Sequence, residues 1–320
     1  MLTNVPVSSK APAPAAVLAG TGLVHGYFNY KVGTRSIKDI FSLWWQLIRW
    51  RPQVVVYMAS FRGTGAVVRD SRFFSLCGSP KQIGVPLTES MQQNVWSEEL
   101  QALEPEANRL ARNLSELGDA RLDDEESWDL RLTETEIAKA KSLLEPLSDR
   151  PIIAVSLGTK APSNDWGREN WRGLLGELAV AFPDHALVLC GAAEEAEACD
   201  FAAEGWRQGG TGEATVLNLC GRLTPRESAA VFQAARAYIG HDSGPMHLAA
   251  AVQTPCVGIF SARNKPGMWF PYGRQHRVVY HRVNCWGCGL TTCIVEGKKC
   301  ILSIMVTEVL AEVSAVLSRA

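Results

Sequence analysis

The run His241-Asp242-Ser243-Gly244-Pro245-Met246-His247 gathers two imidazoles, a carboxylate and a hydroxyl around what reads as the start of a helix. Pro245 suits a first helical turn, where its missing N–H costs nothing, and Ser243 or Gly244 can serve as the cap. Gly244 also lets another group come close to the backbone. Free N–H groups at such a start, with a helix dipole of about half a charge, favour a diphosphate. Asp242 is badly placed for phosphate and well placed to accept sugar hydroxyls, and His247 follows one turn into the helix. A plain capped helix start explains the same pattern equally well. The pair of histidines could suggest a metal, but no third ligand has suitable spacing.

Other residues could join this chemistry. Lys160, beside Thr159 at a strand end, offers a cation for phosphates or is a solvent-facing loop lysine. Glu195 lies just past the turn at Gly191, where a carboxylate commonly takes ribose hydroxyls, although Glu194 and Glu197 compete for that role. In the first half, Arg62-Gly63-Thr64-Gly65 follows a strand and could hold an anionic acceptor, or be a strand-to-helix turn. Asp70 is a weak candidate for a base; a surface salt bridge with Arg69 or Arg72 is the simpler assignment. Cys285, Cys288, Cys293 and Cys300 put four thiols within sixteen positions, with Gly287, Gly289 and Gly297 between them. They could fold around a structural tetrahedral zinc or stay reduced; the spacing fits none of the ferredoxin patterns.

These residues must be positioned by strands and helices, and the sequence shows both in alternation. Pro52–Tyr57 has the β-branched run of a buried strand, preceded by helical spacing of Ile37, Ile40, Phe41, Trp44, Leu47 and Ile48. Ala66–Cys77 reads as a helix, Gln82–Val85 as a short strand, and Ser97–Gly118 as a helix ending at its glycine. Acidic residues 119–129 read as a solvated connection, and Thr133 to Glu136 has a capping-box pattern. From Pro151 the alternation is cleaner. Strands are predicted at 152–157, 186–190, 216–219 and 256–260, and helices at 171–182, 226–237 and from Pro245. Tyr238-Ile239-Gly240 leads into the His241 run. Alternation of this kind predicts an α/β fold with parallel sheets in two tandem domains, residues 1–150 and 151–320. Ligands then bind beyond the strands' carboxyl ends, at 158–160, 191–195, 221–222 and 241–247.

Composition narrows the function. A chain of 320 residues with 47% hydrophobic and 20% charged residues can build about two cores, so disorder is excluded. With 32 Lys+Arg against 33 Asp+Glu, it lacks the basic excess of a nucleic-acid binder. No apolar run is long enough to span a bilayer. The first twenty residues lack the order of an export signal, since Lys10 comes late and Pro12 and Pro14 interrupt the Ala-rich stretch. Nine cysteines without such a signal predict reduced thiols in the cytoplasm; Cys77, Cys190, Cys199, Cys220 and Cys256 read as small core residues. Leu43, Trp44, Trp45, Leu47, Ile48 and Trp50, interleaved with Lys38, Arg49 and Arg51, read as a core helix that could also touch the inner-membrane surface.

Asp242 to Ala251, Pro255, Phe260, Trp269 to Gly273, the four-cysteine series before Ile304 and Asn164 to Trp171 together resemble glycosyltransferase family 9, the lipopolysaccharide heptosyltransferase-like enzymes. The resemblance covers nearly all of 151–320 and, more weakly, 18–87. It implies a GT-B architecture, two Rossmann-like domains facing across a cleft, with a nucleotide-diphosphate sugar donor on the C-terminal one and a glycan or lipid-linked glycan acceptor on the other. By position, Thr159 and Lys160 would contact the diphosphate, Glu195 the ribose, Leu223 the base through its backbone, and Asp242 to Gly244 the sugar and phosphates. Asn164 stands where family members often carry lysine, which makes Lys160 a substitute. The family's opening strand, glycine-rich loop, first helix and second strand find no counterpart, and that loop ordinarily carries the catalytic aspartate. Met1 to Asn4 looks like the tail of the second strand. The implied reaction is a single inverting displacement with no cofactor. A nucleotide-sugar binder without turnover and a sugar-nucleotide epimerase are the rival readings.

Overall fold

The computed structural model describes residues 1–5, 13–31, 33, 36–79, 81–211 and 215–319. The chain divides into two compact units, Met1–Ser127 and Trp128–Ala320. The division falls inside the acidic segment rather than at residue 150. Helix α6 (Glu134–Leu144), which the sequence placed with the first half, packs its Ala140 and Leu144 into the core of the second. An ion pair fixes it there: Arg226, almost fully buried, donates to Glu136 at 2.6 and 2.8 Å and to the carbonyls of Leu130 and Arg131. Glu136 also closes the expected capping box with Thr133.

The second unit is built on a six-stranded parallel sheet. Its strands are β7 (Ile152–Ser156), β8 (Ala186–Leu189), β9 (Val216–Asn218), β10 (Ala237–His241), β11 (Cys256–Phe260) and β12 (Arg277–Tyr280). Their spatial order is β9-β8-β7-β10-β11-β12. The chain begins in the middle at β7, winds outward through β8 and β9, and returns to pair β10 with β7, Ile239 opposite Val155. Every residue of β7, β8, β10 and β11 is buried, which is why these segments read as unbroken apolar runs and not as alternating ones. The pleat still sorts them. Ile153, Val155, Leu187, Leu189, Ile239, Val257 and Ile259 face α7 (Arg168–Ala181), α8 (Ala196–Trp206) and α12 (Val306–Leu317). Ile152, Ala154, Val188, Tyr238, Cys256 and Phe260 face α6, α9 (Pro225–Gln233) and α10 (Gly244–Ala251). Helix α9 stops at Gln233, four residues short of its predicted end, because Ala237 already belongs to β10.

The first unit is assembled differently. Strand β1 (Leu2–Val5) pairs in parallel with β2 (Phe28–Lys31), and β3 (Val54–Val56) pairs in parallel with β4 (Lys81–Ile83) as a separate sheet. The β3 run was expected to be buried, yet Val54 and Val56 are exposed; Tyr57 just beyond it is buried. Residues 97–118 do not form one helix. Trp96–Ser97 (β5) and Ala102–Leu103 (β6) make an antiparallel hairpin that turns through Gln101 at φ 48°, and α5 spans only Glu106–Asn113. Pro105 is the reason: it disfavours helical backbone at Glu104, so the helix cannot extend back through it. Helices α2 (Ile37–Trp50) and α3 (Thr64–Leu76) form close to expectation. A buried polar group holds the centre of this unit. Arg109 pairs with Glu106 (Nε–Oε2 2.8 Å) and donates to the carbonyls of Ala59 and Met91.

Candidate functional site

The order of the six strands creates one crevice, between the carboxyl ends of β7 and β10, where the chain leaves in opposite directions. All four predicted strand ends, after β7, β8, β9 and β10, carry residues singled out by sequence.

On the β7–β8 side, Glu195 sits over two glycines. A Cβ at Gly158, after β7, or at Gly191, after β8, would overlap its carboxylate. One oxygen of that carboxylate accepts the Ala192 N–H at 2.9 Å. Glu195 is held half-buried at the end of β8, whereas Glu194 and Glu197 are exposed. Thr159 and Lys160 follow Gly158; Thr159 is half-buried and Lys160 exposed. Leu223, half-buried, packs against the α9 side of the core in the turn before that helix.

On the β10 side, Ser243 is the N-cap of α10, with φ −153° and ψ 164°, but its hydroxyl makes no capping bond. The expected cap is thus geometric only. The first N–H groups of α10 keep no side-chain partner, and Gly244 has open space around the position of a Cβ. Beneath the helix start, the buried Tyr238 hydroxyl lies near those of Ser156 and Ser243 without completing a hydrogen bond to either. Three hydroxyls left unsatisfied in one place are unusual for a protein interior.

Asp242 is half-buried, and burial pushes its carboxyl up to about 6; the Asn264 amide at 3.4 Å and the nearby Arg263 guanidinium oppose that shift. His241 is completely buried. Its Nε2 accepts the Trp166 N–H at 3.1 Å, its ring meets Trp171 edge-on, and burial lowers its pKa to about 4. This histidine is a neutral core group that fixes the loop after β7 to the end of β10. His247 is exposed on α10.

Arg263 and Asn264 were missed by the sequence reading. They follow the carboxyl end of β11, so the rule that pointed to the other strand ends pointed to them as well. Asn164, in the place of a family lysine, is buried and accepts a short hydrogen bond from Ser261. Its role is to tie the post-β7 loop to the post-β11 loop.

The cysteine segment braces the same loops. Gly287 and Gly289 donate backbone N–H groups to Ala262 and Arg263, Ser163 donates to Leu290, and Arg263 donates to Gly289 and Leu290. The thiols of Cys285, Cys288, Cys293 and Cys300 line one small cavity with Ser163 and Arg263. Backbone N–H groups from Lys298, Val295 and Glu296 hold the Cys293 thiol below its ordinary pKa. Among the described residues, however, no group of three His, Cys, Asp or Glu side chains is arranged to hold a metal ion. The four thiols form no disulfide, and backbone hydrogen bonds fix their segment.

In the first unit, Arg62 and Asp70 are brought together. Asp70 accepts from Tyr57 Oη at 3.0 Å, from Arg62 at 3.1 Å and from Arg69 at 3.1 Å. The expected pair with Arg69 forms, and Arg62 takes the place of Arg72. Burial, with the adjoining carboxylate, pushes the Tyr57 hydroxyl up to about 12. Asp70 holds Arg62 in position.

The sequence profile of glycosyltransferase family 9 (heptosyltransferase) matches residues 77–299. The chain belongs to this family. Among solved structures, this family 9 glycosyltransferase is similar to the family 9 glycosyl transferase from Veillonella parvula, at 15% identity and a TM-score of 0.70, over 95% of this chain and 86% of that one. It is similar to the E. coli ADP-heptose lps heptosyltransferase II at 18% identity and 0.61, over 99% and 89%. E. coli heptosyltransferase WaaC with ADP gives 18% and 0.58, over 94% and 87%. At these identities the likeness concerns the fold, which is of the GT-B type. A search of curated proteins gives no match. No helix among the described residues is long and apolar enough to cross a membrane.

Proposed function

We propose that this glycosyltransferase binds a nucleotide-diphosphate sugar at the β7–β10 crevice and transfers the sugar, by one inverting displacement, to a hydroxyl of a lipopolysaccharide or related surface-glycan acceptor. The observation that carries the donor assignment is the α10 start. Uncapped N–H groups stand there above three unsatisfied hydroxyls, with Asp242 on one side and Glu195 across the crevice.

Each group has a distinct task in this reading. The α10 N–H groups and Ser243 bind the diphosphate, where helix geometry favours anions. Thr159 and Lys160 add a hydroxyl and a cation on the β7 side. Glu195 accepts the ribose hydroxyls, Leu223 borders the base, and Asp242 accepts hydroxyls of the sugar. A nucleoside diphosphate leaves as a stable anion, so the reaction needs stabilisation of developing charge more than a proton on the leaving oxygen. Loss of one such contact typically costs on the order of a hundredfold in rate.

ADP-heptose is the first donor to test, because two of the similar E. coli structures carry that donor in their names or ADP in their sites. Calorimetric titration of the full chain with ADP-, UDP-, GDP- and CDP-sugars should give saturable binding of one of them. Asp242→Ala should weaken it about ten- to a hundredfold, the range for losing hydrogen bonds to a charged group. Binding by none of the four, or full affinity in the variant, would refute the donor site. Binding without transfer to any glycan acceptor would favour the non-catalytic binder.

A further inference from the structure

The phenol of Tyr238 costs the second unit stability that a phenyl ring would not. Its ring is fully buried against Phe232, edge to face with centroids 4.9 Å apart, and its hydroxyl makes no hydrogen bond. A buried hydroxyl left unpaired is destabilising, whereas an apolar group of the same shape is neutral or better. The chain nevertheless makes room for it. Tyr238 shares its strand face with Gly240, where a Cβ would overlap the hydroxyl and the ring edge. Gly240 pairs with Ser156 across the β10–β7 ladder. The hydroxyl therefore lies at the floor of the crevice, near Ser156 at the end of β7 and Ser243 at the start of α10. Burial raises the pKa of the phenol, which keeps its proton in place to donate.

Ser243 shows what the phenol does. Its backbone has the N-cap conformation, yet its oxygen is closed off from solvent beside Tyr238 and accepts nothing from the helix. Pro245 brings no N–H, so a capping bond from Ser243 would go to Met246, at the third helical position. That bond would leave Gly244 as the one residue of the first three with an N–H open to a ligand. Turned inward, the Ser243 hydroxyl instead has a donor in Tyr238. We infer that Tyr238 is a positioning residue for the donor diphosphate: its hydroxyl draws that of Ser243 off the helix, which keeps the Met246 N–H open to a phosphate oxygen. Stability is given up here for a helix start that need not break a bond of its own before it takes an anion. The inference rests on the donor site proposed above and adds a residue to it.

The test is calorimetric titration of the full chain with ADP, UDP, GDP and CDP, on the parent, Tyr238→Phe, Ser243→Ala and the double variant. Tyr238→Phe should weaken the nucleoside diphosphate that the parent binds about fivefold, the equilibrium equivalent of breaking one capping bond. In the Ser243→Ala background the same change should cost nothing, because no hydroxyl is left to cap the helix. Without ligand, Tyr238→Phe should raise the melting temperature of the second unit by about 2–4 °C and slow hydrogen exchange at the Met246 amide. Parent affinity in Tyr238→Phe overturns the proposal. So does an equal loss in both backgrounds, or a loss accompanied by a lower melting temperature, which would make the tyrosine a packing residue only. If the parent binds none of the four nucleoside diphosphates, the donor site itself fails, and the inference falls with it.

Discussion

The two units solve the problem of burying a parallel sheet in opposite ways. In the second, six strands share one sheet and helices cover both faces, so every residue of the four central strands is buried. In the first, two short parallel pairs stand as separate sheets, valines of β3 remain exposed, and a buried Arg109–Glu106 pair occupies the centre. Area burial dominates the first case and polar satisfaction the second. Apolar packing degrades gradually when trimmed, whereas a buried charge pair fails abruptly when one member is lost.

The sharpest test of this contrast is Arg109→Ala. Its loss removes the cation paired with the Glu106 carboxylate and the donor to the Ala59 carbonyl, at a cost of about 3–5 kcal/mol to the first unit. Urea unfolding followed by separate probes of the two units should show the first transition move and the second stay. Coincident movement of both would mean that the units unfold as one. Leu187→Ala, at the centre of the large sheet, is the mirror experiment. Removing a fully buried leucine should cost about 2–5 kcal/mol in the second unit, by lost transfer energy plus the residual cavity.

The same contrast governs what could be read from the sequence. The strands of the second unit were legible because β-branched runs buried on both faces have few alternatives. Their carboxyl ends then predicted that Glu195 and the Asp242 segment follow strands, as they do after β8 and β10. What escaped was set by tertiary contacts: the contact of Glu195 with Gly158, Asn264 beside Asp242, and the Ser261–Asn164 bond join residues far apart in the chain. In the first unit, the hairpin at 96–103 was hidden because its residues also suit a helix, and only Pro105 argued against one. The four cysteines, which the spacing brought together as a group, line one cavity in a segment that backbone hydrogen bonds fix.

Asp242 sharpens the comparison from the functional side, because here the well-packed unit carries a group that opposes its own stability. Its folded pKa of about 6 lies above the ordinary 3.8, so the protonated form favours folding. That contribution is complete below pH 3.8 and is lost as pH rises through 6. Asp242→Asn should therefore stabilise the second unit at pH 7 by about 1–2 kcal/mol, after allowance for partial solvent access, while weakening donor binding. The gain should vanish near pH 4. A variant no more stable than the parent at pH 7 would show that the carboxylate is better solvated in the crevice than its burial implies. Glu136 runs the other way. Arg226 and the Thr133 cap hold its carboxyl below its usual value, so its contribution exists above pH 4.5 and is lost as pH falls through the lower folded value. Glu136→Gln should flatten the acid limb of the second unit's pH profile.

The smallest effect belongs to β3. Val54 is 43% exposed and Val56 42%, although both lie in a β-branched run that predicts burial. Truncation there removes little contact, so Val54→Ala should change the first unit's stability by no more than about 0.5 kcal/mol, as at other exposed sites. Against Leu187→Ala, the difference between two aliphatic strand residues isolates burial from strand propensity, because both retain their ladder hydrogen bonds. A loss above about 2 kcal/mol at Val54 would mean that this face is covered in the folded protein in solution. The first unit would then be held by apolar area like the second, and the contrast between them would fail at its weakest strand.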